Sequence, residues 1–146
     1  MFSVLTLCLN LLISNTAVAE DATFFIRLRL LKPIVTTEVH PLSFPDTVVG
    51  TDSDITVNAS NNEAALIDVT GTANANITGG VVESSITMTA PGSDTPVRVD
   101  NFIVNTPSAL NNSGKGNIGV GATAHMLASN DGGTYNGTAT LRVVYQ

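Results

Sequence analysis

The sequence predicts an all-β sandwich of immunoglobulin-like size, with about seven to nine short strands. No window beyond the first nineteen residues repeats apolar side chains at helical spacing, and alternation with period two recurs instead. Clusters of Gly, Pro, Asn, Asp and Ser interrupt that alternation at short intervals, as β-turns do.

Taken in order, Ala22 to Leu31 places Phe24, Ile26, Leu28 and Leu30 on one face and Phe25, Arg27, Arg29 and Leu31 on the other. Pro33 interrupts, and Ile34 to Val39 reads as the next extended piece. Leu42-Ser43-Phe44 follows as a short edge strand or bend between Pro41 and Pro45. Ile55 to Ala59 comes after the polar turn Asp52-Ser53-Asp54, and Ala64 to Thr70 after Ser60-Asn61-Asn62. Ala73 to Thr78 is expected to stop at Gly79-Gly80, and Val81 to Ala90 at Pro91-Gly92. Pro96 opens Val97 to Val104. The polar loop Asn105 to Gly116 leads to Asn117 to Ala128, and Gly137 to Tyr145 is the last strand. No fixed internal period is present, which argues against a solenoid. A barrel or jelly roll has the same strand count as a sandwich.

The first nineteen residues differ from the rest. Met1 to Ala19 carries no charged side chain, is apolar through most of Phe2 to Ile13, and ends in Ala17-Val18-Ala19 before Glu20 and Asp21. That is the pattern of a secretory signal peptide, although the usual basic residue before the apolar run is missing. It is too short for a membrane span. The expected division is therefore a signal over 1–19, an N-terminal extension or donor strand over 20–31, and a sandwich domain over 32–146. The expected location is secreted, at the cell surface, by way of the periplasm. Cys8, the only cysteine, falls in the signal, so the exported domain relies on sheet pairing and burial without disulfides. A net charge of −6 disfavours nucleic acid and anionic membrane as partners.

Residues for catalysis are scarce. His40 and His125 are the only histidines, and no serine sits in a nucleophile-elbow sequence. His125 falls within the alternation Gly121, Thr123, His125, Leu127 and reads as a strand side chain; His40 stands beside Pro41 in a bend. Two histidines without a cysteine partner make a poor zinc site. Asp52-Ser53-Asp54 and Asn130-Asp131-Gly132 are oxygen-rich, but these are ordinary β-turn residues and the turn reading is preferred. Glu83 and Asp100 are carboxylates whose separation the sequence does not set. With no Trp, a sugar-stacking platform has little to build on. No catalytic residue, cofactor or metal is assigned, and the chain is read as no enzyme.

The C-terminus is the most specific feature. Gly132-Gly133-Thr134-Tyr135-Asn136-Gly137 precedes Thr138-Ala139-Thr140-Leu141-Arg142-Val143-Val144-Tyr145-Gln146, with Gly133 fourteenth from the end and Tyr145 penultimate. This resembles the C-terminal pattern of pilin subunits of the chaperone–usher pathway. The resemblance implies an immunoglobulin-like, pilin-like sandwich. It also implies that Gly133, Ala139, Leu141, Val143 and Tyr145 belong to an edge strand with which a periplasmic chaperone pairs. The cysteine pair of well-known pilins is missing. The whole chain after the signal, especially Pro33 to Phe44 and Ile118 to Tyr145, also resembles a family of small secreted bacterial proteins, named only as a domain of unknown function, with the same Gly-Thr-Tyr-x-Gly ending.

The other end fits the same picture. A donated strand pairs through its main chain while alternate side chains fill pockets in the acceptor. Ala22 to Leu31 alternates in that way, and ten residues reach roughly 33 Å. The expected donor face is Phe24, Ile26, Leu28 and Leu30; the alternative is that this segment is the first strand of its own sandwich. The expected function is thus a filament subunit whose partners are copies of itself, with a periplasmic chaperone and outer-membrane usher as assembly factors. A monomeric secreted adhesin or ligand-binding sandwich is the alternative, and a calcium-stabilised surface or matrix component is a third reading.

Overall fold

A computed structural model describes residues 19–146, so the expected signal lies almost wholly outside the described residues. Eight strands and no helix make up the described chain. They are β1 (Val35–His40), β2 (Ser53–Val57), β3 (Ala65–Thr70), β4 (Ile77–Val81), β5 (Ser85–Met88), β6 (Val97–Asn105), β7 (Lys115–Met126) and β8 (Leu141–Tyr145). The larger sheet runs β1-β3-β7-β6-β5, with β2 also paired to β7; β4 and β8 form a second sheet. The architecture is β-sandwich-like, and every strand pairing is antiparallel. No helix among the described residues is long and apolar enough to cross a membrane.

β7 is the hub. Its Lys115–Val120 half pairs with β3, its Ala122–Met126 half with β2, and β6 takes the opposite edge. Ile118, Val120, Ala122 and Ala124 point into the core, in the alternation the sequence predicts. On its other face, Gly119 and Gly121 allow the Val57–Ala59 main chain to lie directly against the strand. A Cβ at either glycine would collide with a carbonyl oxygen, Ala59 O or Val57 O respectively.

The core has two parts. Val69, Ile77, Leu110, Ile118 and Val120 form one cluster, onto which Leu141, Val143 and Tyr145 of β8 pack. Val97, Val99, Ala122 and Ala124 form the other, covered by Leu42, Phe44, Met88 and Tyr135 instead of a second sheet. Phe102 touches both clusters. A bulge in β6 makes this possible: the register with β7 shifts between Asp100 and Ile103, and Asn101 adopts a positive φ of 50°. Val97 and Val99 face inward before it, Phe102 and Val104 after it, so one extra residue reverses the side-chain parity.

Several expectations need correction. Leu42-Ser43-Phe44 is no strand, because flanking prolines remove ladder donors, yet both apolar side chains still pack on the core. Gly79-Gly80 does not end a strand but lies inside β4. Glycine is required at position 79 by close approach, since a Cβ would stand 2.9 Å from Thr106 Oγ1 and 3.2 Å from Ile118 Cδ1. The expected strand over 81–90 shortens to β5, and the last strand begins at Leu141 instead of Gly137. His40 closes β1 instead of lying in the bend after it.

Candidate functional site

Residues 19–33 are exposed throughout and contain no strand, helix or turn. Phe24, Ile26, Leu28 and Leu30 are 79–85% exposed, and Phe25 is wholly so. The expected donor residues therefore form an apolar ribbon outside the folded body, with Arg27 and Arg29 interleaved. Contiguous apolar exposure of this kind on a chain with free main-chain groups favours association.

The ribbon is fixed at its root. Lys32 N–H donates to Thr72 Oγ1 at 2.6 Å, and the Tyr145 hydroxyl donates to the Lys32 carbonyl at 2.7 Å. The same hydroxyl accepts Thr72 N–H at 2.7 Å. A phenol satisfies both because it is donor and acceptor at once. Ile34 then packs against the first core cluster and starts the body.

Further along β1, and at the start of β8, the sandwich is incompletely closed. An open groove of about 590 Å³ is bordered by Thr36 and Glu38 of β1 and by Gly137–Leu141, with Ile67, Ile86, Met88 and Phe102 along it. Those four apolar side chains are only partly buried, so the groove is an unfilled part of the core. The last strand supplies an edge. Leu141, Val143 and Tyr145 are half-buried and face the core, whereas Arg142 and Val144 are exposed. β8 pairs with β4 alone among the described residues. Val82 N–H donates to Thr140 O, and Gln146 N–H to Asn76 O. In an antiparallel ladder this parity turns the N–H and C=O groups of Leu141, Val143 and Tyr145 away from β4.

Of the residues expected at the acceptor edge, Leu141, Val143 and Tyr145 thus share one strand and one face. Ala139 is exposed and lines the groove just before the strand. Gly133 lies in an exposed bend, where a Cβ would meet only Ala90 Cβ at 3.5 Å, so local packing does not demand glycine there. Asn136 makes two main-chain bonds with Thr89 before the chain crosses to β4. Thr140 N–H donates to Glu83 Oε2 at 2.8 Å, and this bond, foremost, holds the Glu83 carboxyl below its ordinary range.

Two other polar sites stand apart. A cleft of about 440 Å³ under the loop after β2 is lined by His40, Asn61, Asn62, Asn105 and Asn117. Asn117 Nδ2 donates to Asp68 Oδ1 at 2.6 Å, which leaves its carbonyl oxygen free to accept. Elsewhere, His125 of β7 bridges two carboxylates: Nδ1 is 2.7 Å from Asp54 Oδ1 and Nε2 is 2.7 Å from Asp100 Oδ1. Arg98 Nη2 binds the other Asp100 oxygen at 2.7 Å. The bond to Asp100, then that to Asp54, raises the His125 pKa above its ordinary 6.5. The sequence contains all four residues but not the register that joins them. Only the pairing of Asp54 and Arg98 with His125 across neighbouring strands does that.

Of the expected turn Asp52-Ser53-Asp54, Ser53 and Asp54 lie in β2 instead, and the remaining oxygen-rich residues accept hydrogen bonds from the protein itself. Asp52 Oδ1 accepts Ala128 N–H, Asn130 Oδ1 accepts Leu127 N–H, and Asp131 Oδ2 accepts the Ser93 hydroxyl. No group of three or more His, Cys, Asp or Glu side chains among the described residues is placed to hold a metal ion.

Comparison with curated proteins and with solved structures finds no match. The profile of one family, described as a domain of unknown function (DUF4402), matches residues 37–145. That match runs from within β1 to the penultimate tyrosine and leaves the ribbon outside. The chain belongs to the DUF4402 family.

Proposed function

We propose that this chain is a structural subunit of an extracellular pilus- or fimbria-like filament, polymerised by donor-strand complementation through Ala22–Leu31. The observation that carries the reading is the exposure of Phe24, Ile26, Leu28 and Leu30 on a ribbon without strand pairing. A groove with partly buried apolar walls and the free edge of β8 offer what such a ribbon needs, main-chain partners and pockets. Burying each of those four side chains would contribute about 1.5–3 kcal/mol before ordering costs. In this reading the subunit performs no reaction. Its partners are copies of itself, and export through the periplasm brings a chaperone and an usher into the assembly.

The test is expression of residues 20–146 with and without 20–31, followed by unboiled samples on a denaturing gel. Ladders that disappear on deletion are expected. A monomer in both forms overturns the reading.

The asparagine-lined cleft favours a second reading, a secreted ligand-binding module or adhesin. Its amides offer neutral donors and acceptors suited to a polyhydroxyl ligand. A panel of glycans titrated against the ribbon-deleted protein, read by amide shifts at Asn61 and Asn117, tests it.

A further inference from the structure

The Asp54–His125–Asp100–Arg98 cluster carries an inference independent of filament assembly. β2 holds its place in the larger sheet through one strand partner, the Ala122–Met126 half of β7. Val57 is its only buried side chain. Two side-chain links supplement the ladder: Thr56 Oγ1 with Thr123 Oγ1 at 2.9 Å, and Asp54 with His125. β3 pairs along the same edge of β7 but also has β1 on its far side.

Both imidazole nitrogens of His125 face carboxylate oxygens at 2.7 Å. Ionised carboxylates only accept, so each nitrogen must carry a hydrogen, and only the imidazolium has two. The charged groups around the ring are Asp54 from β2 and Asp100 with Arg98 from β6; its neighbours on β7, Thr123 and Met126, are uncharged. With the ring protonated the cluster is neutral. After loss of one proton a carboxylate faces a lone pair, and one contact must open.

Burial decides which contact that is. The Asp100 side chain is 12% exposed and the Asp54 side chain 67%. Asp100 keeps Arg98 on Oδ2, but leaving its buried Oδ1 without a donor costs more than returning the exposed Asp54 carboxylate to water. The remaining hydrogen therefore stays on Nε2, and the link to β2 is lost.

We propose that His125 is a proton-operated staple that holds β2 on the hub strand while the ring is doubly protonated and frees it when the ring is neutral. Release of β2 uncovers the main-chain edge of β7 at Ala122–Met126, a surface able to pair with another strand. The direction follows from linkage. The folded-state pKa of His125 lies above 6.5, so the stabilisation is complete below that value and disappears as pH rises through the raised pKa.

Amide hydrogen exchange from about pH 5 to about pH 9, corrected for intrinsic rates, tests the staple, with nitrogen-15 shifts of the ring recorded alongside. The Ala65–Thr70 amides of β3 serve as the internal reference. Protection of Ser53–Val57 is expected to fall several-fold relative to β3 as His125 titrates, with Nε2 keeping its proton. Asp54→Asn should remove most of that pH dependence while leaving β3 protection unchanged. A β2-to-β3 protection ratio that stays constant through the His125 titration overturns the proposal. So does a ring carrying a single proton at about pH 5.

Discussion

β7 and the ribbon Ala22–Leu31 are both stretches of alternating residues, yet they sit at opposite extremes of the molecule. β7 is enclosed by three strands and presents mainly small side chains, with Gly119, Gly121, Ala122 and Ala124 at its centre. The ribbon has no strand partner and carries Phe24, Phe25, Ile26, Leu28, Leu30 and Leu31. The body, by contrast, has only Leu110, Ile118, Val69 and Val99 as its largest fully buried side chains. The folded body thus draws its stability from close main-chain approach around a narrow hub. Much of the chain's bulky apolar surface lies where the monomer makes no use of it. In the proposed assembly stability and association fall to different stretches of chain, so substitutions should separate them.

The largest effect is expected at the hub. Ile118→Ala removes a fully buried side chain at the centre of the first core cluster and should cost about 4 kcal/mol by urea denaturation. Gly121→Val drives a side chain into the Val57 carbonyl and should cost about 3 kcal/mol, with β2 losing exchange protection first. Tyr145→Phe leaves the body intact but deletes two hydrogen bonds at the ribbon's root, for about 1–2 kcal/mol. The amides of Lys32 and Thr72 should then exchange faster. Leu28→Ser should change monomer stability by less than about 0.5 kcal/mol, since an exposed side chain loses little. The same substitution should weaken any polymer in the unboiled-gel assay. If Leu28→Ser destabilised the monomer as much as Ile118→Ala, the contrast between hub and ribbon would fail.

Much of this was legible in the sequence, because the strands that alternate between a core and solvent are the ones that formed. β1, β3, β6 and β7 lie within a residue or two of the expected spans. What the sequence could not resolve depended on partners. Gly79-Gly80 has the composition of a turn; the nearness of Thr106 and Ile118 accounts for Gly79 inside a strand, whereas a Cβ at Gly80 would meet nothing. The parity reversal at Asn101 is invisible in Val97 to Val104, where inward and outward residues are all compatible with a strand. Leu42 and Phe44 alternate correctly, yet alternation does not supply the donors that proline lacks. The ribbon's pattern predicts that it will pair but cannot say with which sheet, since a strand's periodicity does not encode its neighbour. His125 reads in the sequence as an ordinary strand side chain for the same reason: its two carboxylate partners, and the Arg98 that binds one of them, are distant in sequence and adjacent only across the sheet.

The phenol of Tyr145 joins positions 113 residues apart, the start of the body and the far end of its final strand. Tension applied to the leading segment would therefore be shared between β1, which the chain enters covalently after Pro33, and β8, which the hydroxyl reaches directly. β8 is laced to β4 along its length, so a pull directed along β8 would load several hydrogen bonds together as shear, whereas one directed across it would break them one at a time. A single hydroxyl thereby gives the domain a second, noncovalent path for load.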